Sequence, residues 1–185
     1  MRVLLHWVEK GGYSPELSDM MAEIRKDSHE IVYWIGHPLA PAAEREHFSQ
    51  TVFHSYLDAM QGLPARGIDE SEFSPLGEEV VSDFYKEESI ILTMMNRLFD
   101  KMCVDERRNI YYQMLRYWLG VLQKYKPEIV IFTTTPHVVY DYIIYIVARR
   151  AKIRVVMFDD ARIPGRLLHL SDFRRGSELL RERLL

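Results

Sequence analysis

PEIVIFTTTPHVVYDYIIYIVARRAKIRVVMFDDARIPGR, residues 127–166, is the stretch on which the fold turns. Ile129–Thr133 is a short apolar run rich in β-branched residues, which is how a buried parallel strand reads. From about Val138 to Arg150, Val139, Ile143, Ile146 and Val147 recur at helical spacing. Arg149, Arg150 and Lys152 stand near the end of that helix, where its dipole favours cations. Ile153–Phe158 then returns to strand. The pattern is strand, loop, helix, strand, loop. In an open α/β sheet, ligands bind just outside the carboxyl ends of the strands. The first of these ends carries Thr133, Thr134, Thr135 and His137; the second carries Asp159, Asp160, Arg162 and Arg166.

The rest of the chain extends this alternation in both directions. Arg2–Val8 reads as a buried strand, and Gly11 and Gly12 break it off. Ser14 is placed to cap a helix with Pro15 at its first position, and Leu17, Met20, Met21 and Ile24 form its apolar stripe. Glu30–Ile35 is a second strand, closed by Gly36 and Pro38. Ala40–His47 reads as a short helix, Thr51–His54 as a third strand and Tyr56–Gln61 as a helical turn. Gly62–Gly77, with Pro64, Gly67 and Pro75, reads as a loop. Two amphipathic helices are expected over Glu78–Phe99 and Asp105–Tyr125, with Asp105 able to cap the second. A terminal helix is expected over Phe173–Leu184. Strands alternating with helices predict a mostly parallel, three-layer α/β/α arrangement over residues 1–172, with a helical and loop excursion at 56–125. Residues 173–185 then form a terminal helix suited to link to a second domain.

Composition narrows the class. With 185 residues, 48% hydrophobic and 28% charged, the chain has the make-up of one soluble globular domain. A net charge of -3 argues against a general nucleic-acid binder. Cys103 is the only cysteine, which excludes an internal disulfide, suits a reducing compartment and reads as a small buried hydrophobe. The apolar run Val3–Val8 is interrupted by His6 and closed by Glu9 and Lys10, too short for a signal-peptide core. Ile143–Ala148 is bracketed by Asp141 and Arg149 and falls well short of the roughly 20 residues that span a bilayer. A cytoplasmic protein without a transmembrane segment is expected.

Motifs of several enzyme classes are absent: G-x-G-x-x-G, G-x-x-x-x-G-K-[ST], G-x-S-x-G and H-E-x-x-H. No cofactor or metal site is expected. Gly11, Gly12 and Tyr13 follow the first strand and lead to a helix N-terminus, so they form either a tight turn or a cradle for an anion or a hydroxyl-rich ligand. One of Thr133, Thr134 and Thr135 suffices to cap the following helix. The surplus hydroxyls suit a sugar or phosphate, and His137 a proton acceptor. Asp141 either orients His137 or complements the helix dipole. Asp159 or Asp160 can serve as a general base or bind a hydroxyl pair. Arg162 and Arg166, flanking Ile163-Pro164-Gly165, can hold a phosphate or carboxylate, or pair with those aspartates. His6 and His54 read chiefly as satisfied structural histidines that can also line the same crevice.

Three segments carry a resemblance. They are Thr135–Tyr142 (TPHVVYDY), Arg162–Arg166 (RIPGR) and Thr51–Pro64 (TVFHSYLDAMQGLP). Together they resemble the N-terminal part of bacterial capsular and surface polysaccharide biosynthesis proteins. The resemblance implies a Rossmann-like domain of a GT-B-type glycosyltransferase. In that arrangement the acceptor glycan sits mainly on the N-terminal domain and the sugar-nucleotide donor mainly on a second Rossmann-like domain. On this basis His137, Asp159 or Asp160 is the expected general base, and Arg162 and Arg166 the expected anion holders. The chain stops just past its last expected strand, so sugar transfer is not expected from it alone. A glycan or nucleotide-sugar ligand is expected, with a second Rossmann-like domain or a second copy as partner. The alternative is a non-catalytic module binding a sugar, a nucleotide or a protein.

Overall fold

A computed structural model describes residues 1–8, 15–39, 48–161, 163, 166–176 and 182–183. Six strands form one sheet: β1 (Arg2–His6), β2 (Glu30–Gly36), β3 (Val52–Ser55), β4 (Ile129–Phe132), β5 (Arg154–Asp160) and β6 (Leu167–Leu170). Their order across the sheet is β3-β2-β1-β4-β5-β6. The first five run parallel, and β6 joins β5 antiparallel. After β3 the chain crosses back to place β4 on the other side of β1. The reversal of strand order therefore falls between β1 and β4. This is a Rossmann-like α/β fold with helices on both faces.

The expected third strand and the helical turn after it are present as β3 and α2 (Tyr56–Gln61). Pro15 opens α1 (Pro15–Lys26). Gly11, Gly12, Tyr13, the expected helix at 40–47 and Arg162 lie outside the described residues. The single long helix expected over 78–99 is divided. Helix α3 (Glu78–Asp83) ends where Phe84 adopts φ -105° and ψ 7°, and α4 (Tyr85–Met94) follows. The break lets Phe84 turn into the core, where it is 4% exposed. Helix α5 (Val104–Tyr125) starts at Cys103, not Asp105. The Glu106 carboxylate accepts the Cys103 backbone N–H at 2.8 Å, and Asp105 instead pairs with Arg108. Cys103 is exposed, contrary to its reading as a buried hydrophobe. Helix α5 stops at Lys126, which is left-handed at φ 43°, just before Pro127.

β6 was not expected, and neither was the turn at Asp172–Arg175 that replaces the start of the terminal helix. Arg175 N–H donates to the Asp172 carbonyl there, and the remainder of that expected helix lies largely outside the described residues.

The two faces of the sheet are unequal. Val3, Leu5, Ile31, Trp34, Ile129 and Val156 pack with Met21 of α1 on the smaller one. The larger face meets α2 to α5 and α6 (Val139–Arg150). Between β1 and β2 the register shifts, so that Leu4 opposes Tyr33 while Val3 opposes Ile31. This bulge sends Val32 and Tyr33 to the same, larger core and breaks the usual alternation. Every residue of α6 from Val139 to Ala148 is buried. A helix buried on all sides needs cover from more than one neighbour. Among the described residues, no helix is long and apolar enough to cross a membrane.

Candidate functional site at the sheet switch point

The crevice between the carboxyl ends of β1 and β4 is built from His6, Trp7, Thr133–His137 and the first turn of α6. A backbone bond holds its two walls together, Thr133 N–H donating to the His6 carbonyl at 3.1 Å, and Trp7 N–H ties the β1 side to β2 through the Ile35 carbonyl at 2.9 Å.

The threonines do not cap α6. Its N-cap is Val138, and the capping group is the carboxylate of Asp141. Asp141 Oδ1 accepts Val138 N–H at 2.9 Å and Oδ2 accepts His137 N–H at 3.1 Å. The Thr133 hydroxyl leans on the His6 carbonyl at 3.4 Å. Among the described residues the Thr134 and Thr135 hydroxyls have no partner. The structural reason for their presence therefore passes to Asp141, and two hydroxyls are left over at a strand end.

His137 is the exposed titratable group of the crevice, with its side chain 58% accessible. Its Nδ1 lies 2.9 Å from the Thr135 carbonyl. A carbonyl only accepts, so Nδ1 carries a proton, and in the neutral ring the lone pair is on Nε2. Asp141 Oδ2 stands 3.9 Å from Nδ1. Asp141 itself is fully buried. Burial lifts its carboxyl to about 7, and the His137 N–H and the His137 charge pull the other way.

His6, by contrast, is buried. Its Nε2 meets the Tyr140 hydroxyl at 2.8 Å, while among the described residues Nδ1 has no partner beyond its own carbonyl. Burial, reinforced by the nearby His137, pushes His6 down to about 3. It is thus a neutral floor beneath His137. Tyr140 was missed in the sequence because it falls on the apolar stripe of α6. A tyrosine rather than a phenylalanine in a fully buried turn was the available signal.

His54 does not enter the crevice. Its Nε2–H donates to the Leu63 carbonyl at 3.0 Å, so Nδ1 accepts from Tyr33 Oη at 2.8 Å. Tyr117 Oη donates to Tyr33 Oη at 2.7 Å and accepts Ala65 N–H at 3.0 Å. Every group of this chain is satisfied, so His54 is structural, and burial lowers it to about 4.

Asp159 and Asp160 are not loop residues. β5 runs through both, two to three residues past the level at which Met157 pairs with Phe132, and Asp159 pairs with Leu168 of β6. Arg166 closes the hairpin between β5 and β6: its N–H donates to the Ile163 carbonyl at 3.0 Å, and its carbonyl accepts from Ala161. The structure thus brings together His137, Thr133, Thr134, Thr135 and Asp141, and sets Arg166 on a separate exposed turn. Among the described residues no three His, Cys, Asp or Glu side chains converge as a metal site requires. Neither a protein-family model nor a curated protein matches this chain.

Proposed function

We propose that the chain is the acceptor-side domain of a GT-B-like glycosyltransferase of capsular or surface polysaccharide synthesis, binding a glycan in the switch-point crevice. The observation that carries this is the placement of His137: its Nδ1–H is committed to the Thr135 carbonyl, which leaves Nε2, without a partner among the described residues, as the ring atom able to take a proton. In this role Nε2 takes the proton of the acceptor hydroxyl as that oxygen attacks the donor sugar. The Thr134 and Thr135 hydroxyls hold neighbouring sugar hydroxyls, and Asp141 steadies the imidazolium that forms. A second Rossmann-like domain supplies the sugar nucleotide. The sequence resemblance at 135–142 and 51–64 supports the same assignment. The placement of Asp159 within a strand makes His137 the better base.

Calorimetric and thermal-shift titrations of the chain test this reading, with UDP, CMP, nucleotide sugars, and short neutral and acidic oligosaccharides. A ligand that binds only the native state raises the melting temperature. Oligosaccharides should do so, and the shift should shrink in Thr134→Ala and His137→Ala. A shift with nucleotides and none with oligosaccharides would overturn the acceptor assignment.

A further inference from the structure

We infer that the cleft at the carboxyl end of β3 is a saccharide subsite, taking an uncharged sugar ring of the glycan whose reacting end lies in the switch-point crevice. The inference rests on the reading of that crevice given above. The cleft has a volume of about 370 Å³ and is lined by Pro38, Phe53, Ser55, Leu57, Asp58 and Arg66. This falls in the size range of small-ligand pockets.

Three polar residues there are unspent. Ser55 occupies the N-cap position of α2, where a serine hydroxyl normally caps, yet it makes no capping bond. Asp58 and Arg66 line one cleft, yet among the described residues neither side chain makes a hydrogen bond or an ion pair, with the other or with a third group. Together they offer guanidinium donors, carboxylate acceptors and a hydroxyl that does both. A sugar ring presents hydroxyls that donate and accept around its rim and C–H groups on its faces, and Phe53, Leu57 and Pro38 supply apolar lining for the latter. The charges of Asp58 and Arg66 cancel, so a phosphate or carboxylate would meet as much repulsion as attraction. That selects an uncharged ring.

The segment presenting Arg66 is fixed from behind. Leu63 is tied to His54, and Ala65 is tied to Tyr117 and buried. A site held this way loses little entropy on binding. The strands ending at β3, β2, β1 and β4 are parallel neighbours. The cleft therefore lies on the same edge as the crevice, about 10 Å from the end of β1 and about 15 Å from that of β4, at one strand spacing per step. One extended glycan can reach both.

The test is a binding series with neutral oligosaccharides of glucose and N-acetylglucosamine of increasing length, from the monosaccharide upward. Native chain should bind longer members more tightly. Arg66→Ala and Asp58→Asn should lose about tenfold on the longer members, the effect of one lost hydrogen bond to a charged group, and nothing on the monosaccharide. Both residues stand outside the core, so the variants should fold, which circular dichroism checks. If these variants match native chain at every length while His137→Ala weakens binding, the subsite is wrong and the crevice reading stands. If they weaken binding while His137→Ala and Thr134→Ala do not, the subsite stands and the crevice reading falls. If no member binds native chain, both are overturned.

Discussion

Asp141 shows how one residue serves structure and site at once. It lies in the first turn of α6, where the dipole and the free N–H groups favour an acceptor, and its two oxygens take the N–H groups of His137 and Val138. The loop that presents the His137 ring is thereby fixed to the helix. Asp141→Asn keeps one acceptor oxygen and turns an amide N–H₂ toward the second backbone donor. It should cost about 1–3 kcal/mol of stability, the penalty of a buried donor left unpaired, read from the urea midpoint. Chemical shifts should move from Thr133 to Val138. If the variant is as stable as native chain, Asp141 is not the cap. Tyr140→Phe is the companion test. It removes the hydroxyl that bonds the buried His6 ring and should destabilise by about 1 kcal/mol or more. At this scale the sequence showed that His137 and the threonines sit at a strand end. It could not show which side chain caps the helix, because Thr and Asp have nearly equal claim to that task until the helix start is fixed at Val139.

The excursion between β3 and β4 packs against α5, and Phe73 meets the helix at Gly120. A β-carbon there would clash with the ring of Phe73, which is buried against the helix. Arg116, one turn earlier, donates to the Glu70 and Phe73 carbonyls and pins the same loop at 2.6 and 2.9 Å. Gly120→Ala must push Phe73 off α5. Overpacking of this kind costs about 1–3 kcal/mol, more than the helix gains from alanine. Phe73→Ala alone leaves a cavity. The double variant relieves the clash, so its destabilisation should fall clearly below the sum of the two singles, by 0.5 kcal/mol or more in a double-mutant cycle. Additive losses would mean that the two residues do not meet. The amphipathic stripe of α5 was legible from spacing alone, as were β1 to β5. The division of 78–99 into α3 and α4 was not, because Phe84 falls in register on either side of the break. β6 was also hidden: Leu167–Leu170 is four residues, of which two are exposed and one is buried, and edge strands of that length carry almost no alternation to read.

For the molecule as a whole, the buried titratable groups set how stability follows pH. His6 and His54 have native values near 3 and 4, against an ordinary 6.5 for histidine, both lowered by burial. Between about pH 4 and 6.5 the unfolded chain therefore holds two protons that the native histidines do not. Asp141 opposes them. Its native value is raised to about 7, so in the same window the native chain holds one proton that the unfolded carboxylate has released. The balance is one proton more on the unfolded chain, and stability should rise with pH through this window by about 1.4 kcal/mol per unit, levelling off above pH 7. His54→Gln removes one of the two histidine contributions and should flatten the slope nearly to zero, whatever it does to stability at pH 7. Removing the opposing group with Asp141→Asn should steepen it toward twice the native slope. Urea midpoints at pH 4.5, 5.5 and 6.5 for the three chains give the slopes directly. A native chain whose stability is level across that range would mean that His6 and His54 take up protons in place. In that case His6 would be no neutral floor under the crevice but a cation there, and an anionic rather than an uncharged group would then be favoured at the end of β1.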